Sequence, residues 1–385
     1  MADRRIGISL VDFTPGKMGG VETYVRNLIE QLVVSDDSFR YTLICYDGNV
    51  DYFGHLHDRV DTRVFRHKKN SPHRLARSLV RKISGIDLIQ TSVDRLGLDL
   101  LHNPFTALRS SRYQTPTVVT FHDLQHRYFP QFFTAREVEG RDCLYRKTAH
   151  EAGHLIAVSD FTRQTICNDY GIPLDKVTVV PLGVGAEYRR YGEGDVVAVR
   201  EQLRLSRPFM YFPAATWPHK NHSRLFAALK LLVERYGFDG DLVLTGVATR
   251  SHDLLKGEIA SLGLAERVHI LGYLPYETLP LIYNMAHLMV FPSLFEGFGM
   301  PVLEAMACGC PVVCSEVSSL PEVAGTAARY FDPLSVESMA QAILSVWGSN
   351  ELQMELCCLG HDRAAYFTWE NTAEQTLEVY RALAS

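Results

Sequence analysis

Two glutamates eight residues apart, Glu296 and Glu304, stand in the run FPSLFEGFGMPVLEAMACGCPVV, residues 291–313. Glu296 falls in a glycine-rich loop, and Pro301 suits the first turn of a helix, where a missing N–H costs nothing. Glu304 then lies about one turn inside that helix, which ends at Gly309 before a strand at 311–314. Backbone N–H groups without partners and the positive end of the helix dipole meet at such an N-terminus and favour an anion. The two carboxylates repel phosphate but accept hydrogen bonds from sugar hydroxyls. The expected ligand has an anionic part and a neutral polyol part, and a sugar nucleotide has both.

Other reactive side chains sit at comparable places. Lys220, in WPHKNHSRL, approaches the start of a helix over 225–236, where a cation and backbone N–H groups together reach phosphate; alone it also reads as a surface lysine. His122 and Asp123 follow a strand at 117–121, and open α/β sheets bind ligands at the carboxyl ends of their strands. A turn-capping His–Asp pair is the structural alternative. Gly16, Gly19 and Gly20 form a turn between a strand at 5–13 and a helix marked by Val21, Val25, Leu28, Ile29 and Leu32. The dinucleotide pattern GxGxxG is missing, and a bare Gly-Gly equally fits a tight turn needing positive φ. Cys308, Cys310 and Cys314 lack the paired CxxC units of zinc sites and straddle a helix end and a strand. They read as free buried thiols in a reducing cytoplasm.

Holding these residues requires alternating strands and helices, and the chain alternates them twice. Its 385 residues suit two α/β domains better than one core. Strand, glycine turn and helix open a doubly wound sheet over residues 1–185. A charged stretch without apolar rhythm, 185–207, marks the joint, with room for a short helix at 196–205. A second set of strands and helices fills 186–368, and a closing helix, 369–385, joins the first domain. Two such domains meeting at the carboxyl ends of their strands enclose a cleft.

Charge and hydropathy exclude some classes. The balance of 39 Lys+Arg against 44 Asp+Glu is mildly acidic, so no nucleic-acid partner is expected. No apolar run approaches the length of a membrane span, and no signal-peptide core precedes the first strand. The chain reads as cytoplasmic. Between Asp58 and Lys82, however, nine Lys/Arg face two acids. Leu75, Leu79 and Ile83 repeat every four residues there, so a basic helix over 72–84 fits either peripheral contact of segment 63–83 with an anionic membrane or a solvated face of its own domain.

The E-x7-E element with its EGFGMPVLEAMACG context resembles the retaining GT-B-fold glycosyltransferases of family 4 (group 1 glycosyltransferases). GGVET, FHD, VSDFT, PLGV, PHKN and LGYLPYETLPLIYNMA stand in the order of that family, and the likeness runs almost the full length. It implies an α/β, GT-B fold, two Rossmann-like β/α/β domains facing each other across a cleft. It also implies roles: Glu296 on hydroxyls of the donor sugar, with Gly297, Phe298, Gly299 and Met300 near sugar and diphosphate. Glu304 would hold the ribose, Lys220 the diphosphate, and the segment around Leu274 the nucleobase. His122 would stand on the acceptor side, and Gly19 and Gly20 in the loop that approaches the donor. Catalytic duty falls to Glu296, His122 and Lys220.

No cofactor and no metal are expected, because charge on the leaving diphosphate would be met by Lys220 and helix amides. An arginine common in relatives ahead of the PHK lysine is replaced here by Pro213-Ala214-Ala215-Thr216, so the resemblance shifts that duty toward Lys220, His219 or Arg250 and the 297–300 amides. The PHKN form resembles mannosyltransferases of polysaccharide and O-antigen assembly. That implies transfer of mannose from GDP-mannose, with retention, to a glycan or lipid-linked acceptor. UDP- or dTDP-sugar donors, and a catalytically silent binding subunit, are the alternatives.

Overall fold

The computed structural model describes residues 4–35, 38–56, 58–65, 88–108, 113–249 and 251–384. The basic segment read at 63–83 falls mostly outside them, as does Arg250. Two compact units divide the chain: Met1–Leu182 with Trp369–Ser385, and Gly183–Thr368. The charged stretch after Gly185 is part of the second unit, where Tyr188 is buried and residues 193–202 are helical.

In the first unit, β1 (Arg4–Ser9), β2 (Phe39–Tyr46), β3 (Asp61–Phe65), β4 (Leu100–Asn103), β5 (Thr117–Phe121), β6 (His154–Ala157) and β7 (Val177–Val179) form one parallel sheet ordered β3-β2-β1-β4-β5-β6-β7. In the second, β8 (Phe209–Pro213), β9 (Asp241–Thr245), β10 (Val268–Gly272), β11 (Leu288–Phe291), β12 (Val312–Ser315) and β13 (Ala328–Phe331) run parallel in the order β10-β9-β8-β11-β12-β13. Strands β4, β5, β9, β11 and β12 are buried throughout, as helices on both faces of a parallel sheet demand. Each buried Leu, Val, Ile or Phe contributes about 1.5–3 kcal/mol.

The helices of the first unit used below are α1 (Gly20–Ser35), α2 (Leu88–Asp94), α3 (Gln125–Tyr128), α4 (Ala135–Glu151) and α5 (Asp160–Tyr170). The second unit adds α6 (Glu193–Gln202), α7 (His222–Tyr236), α8 (His252–Ser261), α9 (Leu279–Met285), α10 (Met300–Ala307), α11 (Leu320–Ala324), α12 (Val336–Trp347) and α13 (Asn350–Ala364). The chain then returns to the first unit as α14 (Trp369–Leu383), which packs on α1. Its buried Trp369, Thr372, Ala373, Thr376, Leu377 and Tyr380 follow helical spacing. Sequence periodicity misses α13, because Leu356, Gly360 and Ala364 are its only buried positions.

Strand order locates the sites. From β8 the second sheet grows through β9 to β10, then the chain crosses back and grows the other way from β11. The loops after β8 and β11 therefore diverge at a switch point, where open α/β sheets bind ligands. Lys220 follows β8 and Glu296 follows β11. The first sheet reverses between β1 and β4 in the same way, and Gly19 and Gly20 follow β1.

Candidate functional site

In the second unit, Lys220 Nζ lies 2.6 Å from Glu296 Oε1, with 16% and 14% of the two side chains exposed. Both loops are pinned by neighbours. Asn221, at φ 63°, donates through Nδ2 to the carbonyls of Pro292 and Pro333 at 3.0 and 2.9 Å. The Leu294 N–H donates to His219 O at 2.8 Å, tying one loop directly to the other. Ser319 Oγ donates to the carbonyls of Glu296 and Phe298 at 3.0 and 2.7 Å, and the Glu296 N–H donates to Ser318 Oγ at 3.0 Å. Lys220 Nζ also stands 5.1 Å from the centroid of the Phe291 ring. The ion pair cancels the negative charge that Glu296 alone would present to a phosphate.

His219 stands uncharged in the ligand-free site. Burial, reinforced by adjacent Lys220, pulls its imidazole down to about 3, so it is neutral near pH 7. In the ligand-free site it therefore adds no positive charge beside Lys220.

The loop turns into α10 through Gly299, whose φ of 108° is closed to most side chains. A Cβ there would also stand 2.7 Å from Leu320 Cδ2. Phe298 is buried against Phe367, and Met300 and Pro301 begin the helix. One turn on, Glu304 enters a group of tyrosines. Tyr283 Oη on α9 donates to its Oε2 at 2.8 Å. Tyr283 packs edge-on against Tyr211 at 4.9 Å and Tyr188 at 6.0 Å, and Tyr188 meets Tyr276 at 5.8 Å. Burial pushes the Glu304 carboxyl up to about 7, while the hydroxyls of Tyr283 and Tyr188 pull the other way and nearby Glu187 raises it further. Leu274 sits in the turn after β10, two residues before Tyr276 of this group.

In the first unit, His122 stands at the carboxyl end of β5. Its Nε2 is 2.9 Å from the Pro104 carbonyl, which only accepts, so these partners assign the proton to Nε2 and leave Nδ1 a bare acceptor. Burial lowers its pKa, against the Pro104 bond and Asp123, which raise it. The His–Asp capping alternative holds for the aspartate alone: Asp123 Oδ1 accepts from the Gln125 N–H at 3.0 Å and starts α3. Gly19, at φ 52°, has nothing within 4 Å of where a Cβ would point, and Gly20 opens α1.

Several supporting residues escaped sequence reasoning. Both Glu22 carboxylate oxygens accept from the Gly16 N–H, at 2.9 and 2.8 Å, closing the glycine loop. The E of GGVET was the available signal. The Tyr24 ring packs edge-on at 5.1 Å against His122, while its hydroxyl meets Thr120 Oγ1 at 2.9 Å. Thr120 Oγ1 in turn lies 2.8 Å from His102 Nε2, whose Nδ1 lies 2.6 Å from Tyr380 Oη. Burial, with His122 adding, holds His102 down to about 3, so this chain of contacts is uncharged.

The cysteines are free thiols: Cys45, Cys308, Cys310 and Cys314 are buried, whereas Cys143 and Cys358 are exposed. Among the described residues no group of three or more His, Cys, Asp or Glu side chains is placed to hold a metal ion, and no helix is long and apolar enough to cross a membrane.

Comparisons with known proteins agree with the fold. Residues 198–356 match the profile of the group 1 glycosyl transferases, and residues 18–188 that of Glycosyltransferase Family 4. O-antigen chain mannosyltransferase B of Escherichia coli is 32% identical over 268 residues, covering 69% of this chain and 70% of that protein. O-antigen chain mannosyltransferase RfbU of Salmonella typhimurium is 26% identical over 310 residues, 79% and 81% of the two chains. Among solved structures, HepE of Anabaena in complex with UDP and glucose superposes with a TM-score of 0.76 at 19% identity, over 99% of this chain and 100% of that one. The chain belongs to the group 1, family 4 glycosyltransferases and is a glycosyltransferase of GT-B fold.

Proposed function

We propose that this enzyme transfers mannose from GDP-mannose to a glycan or lipid-linked acceptor of a growing surface polysaccharide, with retention of anomeric configuration and no metal ion. The observation that carries the donor site is the Lys220–Glu296 pair at the β8/β11 switch point, beside the N-terminus of α10. Cleavage of the anomeric C–O bond puts negative charge on the diphosphate and positive charge on the sugar. Lys220 would meet the first by turning from Glu296 to a phosphate oxygen, a preorganised charge placed where charge develops. Glu296, released from the lysine, would accept hydrogen bonds from the sugar hydroxyls, and Glu304 would accept from the ribose. The acceptor hydroxyl would attack from the face the diphosphate leaves, its oxygen bonding to the anomeric carbon as the C–O bond to phosphate breaks and its proton passing to the departing diphosphate, with no enzyme nucleophile assigned opposite. His122, neutral with Nδ1 bare, is suited to accept a hydrogen bond from a sugar hydroxyl.

Mannose is preferred because both O-antigen relatives carry mannosyltransferase names. Thermal-shift measurements with GDP-, UDP-, ADP- and dTDP-sugars test the donor, since a bound donor raises stability by mass action. The largest shift is expected with GDP-mannose, and no shift with any of them would count against the transferase site. Product formed in EDTA, with its anomeric configuration read by NMR, tests the metal and the stereochemistry. Peripheral attachment through segment 63–83 is part of the same proposal; failure to pellet with anionic liposomes at any salt concentration would end it.

A further inference from the structure

Arg363, half-buried in the last turn of α13, reaches the loop that carries Glu296 by two separate routes. We propose that it is a positioning residue for the donor, setting the 296–300 segment through its neighbours rather than acting on the substrate. This rests on the donor reading above.

The first route runs through α11. A helix end leaves its last carbonyls without intrahelical N–H partners, and α11 is only 5 residues long. Arg363 Nε donates to the Val323 carbonyl at 2.9 Å, and its Nη2 donates to the Glu322 carbonyl at 2.6 Å. The planar fork thus spans two neighbouring carbonyls, a geometry that a lysine ammonium does not reproduce. At the other end of α11 the donor loop is attached. Ser319 Oγ donates to the carbonyls of Glu296 and Phe298, and Ser318 Oγ accepts from the Glu296 N–H. Ser318 takes a φ of 52°, a left-handed value that serine seldom adopts, so its surroundings must hold it there. Any displacement of α11 therefore carries the backbone of Glu296 and Phe298 with it.

The second route is aromatic. The Arg363 guanidinium carbon lies 4.8 Å from the centroid of the Phe367 ring, and Phe367 meets the buried Phe298 ring edge-on at 5.9 Å. The Phe367 backbone is fixed on both sides: its N–H donates to Ala364 O at 3.0 Å, and its carbonyl accepts from the Val184 N–H at 2.9 Å. Helix α13 is itself seated on α10, close enough that a Cβ at Gly360 would stand 3.0 Å from Met306 Cγ. Capping of α11 alone would account for the two carbonyl bonds. The stack on Phe367 adds a second hold on the same loop, and both routes meet at Phe298.

Full-length Arg363→Met and Arg363→Lys should be compared with the parent by amide hydrogen exchange without ligand and by calorimetric titration with GDP-mannose. In Arg363→Met, exchange at Glu296, Phe298 and Gly299 is expected to quicken about tenfold, with parental rates kept in β9 and α7. Donor binding must then reorder the loop, so the cost falls on affinity. GDP-mannose should bind roughly tenfold more weakly, about 1.4 kcal/mol, and its KM should rise while kcat changes little. A smaller amount of folded enzyme would instead lower apparent kcat and leave KM alone. Arg363→Lys, able to reach one carbonyl, should fall between parent and Arg363→Met in both measurements, and it keeps the test alive should Arg363→Met unfold. Parental exchange in the loop, loosening spread evenly over the second unit, or a loosened loop with unchanged donor affinity would each overturn the proposal. Absence of GDP-mannose binding by the parent would strike the donor reading instead, and the exchange comparison would still decide whether Arg363 sets the loop.

Discussion

Lys220 and Glu296 neutralise each other at 2.6 Å, although 76 residues separate them in the chain. Neither is dispensable to the other. Lys220→Ala is expected to lower kcat/KM by at least about a hundredfold through loss of diphosphate stabilisation. It should also cost about 1–3 kcal/mol of stability, because Glu296 keeps a mostly buried charge without its partner. Pairing Lys220→Met with Glu296→Gln should recover most of that stability, read by urea unfolding, and none of the activity. An active double variant would refute the roles of both residues.

Glu304 should make the ligand-free protein less stable as pH rises. Its folded pKa, up to about 7, lies above the ordinary 4.5, so the favourable contribution is complete below about 4.5 and lost as pH climbs through about 7. Glu304→Gln keeps an oxygen for Tyr283 and cannot ionise. Its melting temperature should draw level with or pass that of the parent across this window, while donor affinity falls. A gap between the two proteins that does not change from pH 4.5 to 8 would contradict the burial of this carboxyl.

Two glycines separate backbone strain from crowding. Gly19→Ala meets only the left-handed backbone at φ 52°, a cost of roughly 1 kcal/mol. Gly299→Ala meets φ 108° and Leu320 Cδ2 at 2.7 Å together, so it should cost about 2–4 kcal/mol and tilt the start of α10. Chemical denaturation of the two variants checks the ranking, and equal losses would count against it.

Glu22 is expected to act through the glycine loop. Glu22→Ala removes both acceptors from the Gly16 N–H and should cost about 0.5–1.5 kcal/mol. Amide exchange at Gly16 should quicken and the KM for donor or acceptor should rise severalfold, with kcat little changed. Glu22→Gln, which retains one acceptor, should rescue part of the effect.

What could be read in advance followed from local signals. The strands at 117–121 and the helix ending the chain are marked by apolar runs and period, and Pro301 with Gly299 marks the start of α10. The glutamate pair was visible because loop and helix carry it in one short run. Its surroundings were not: Tyr188, Tyr211 and the pair Tyr276 and Tyr283 come from three separate stretches and converge through the fold. Nothing local announces that Glu304 is buried and that its pKa is raised. Likewise His219 looks like a cation beside Lys220, and only its burial shows that it is neutral.

The hydrogen bond between His102 and Tyr380 spans 278 residues. A ribosome adds residues in order, so the last helix of the first unit emerges only after the whole of the second unit has been made. The second unit can therefore complete its sheet during synthesis, while the first waits with the α1 surface that α14 covers still open to solvent. The part of the enzyme begun first is thus finished last, and its exposed interval in the cell is set by the time taken to translate residues 183–380.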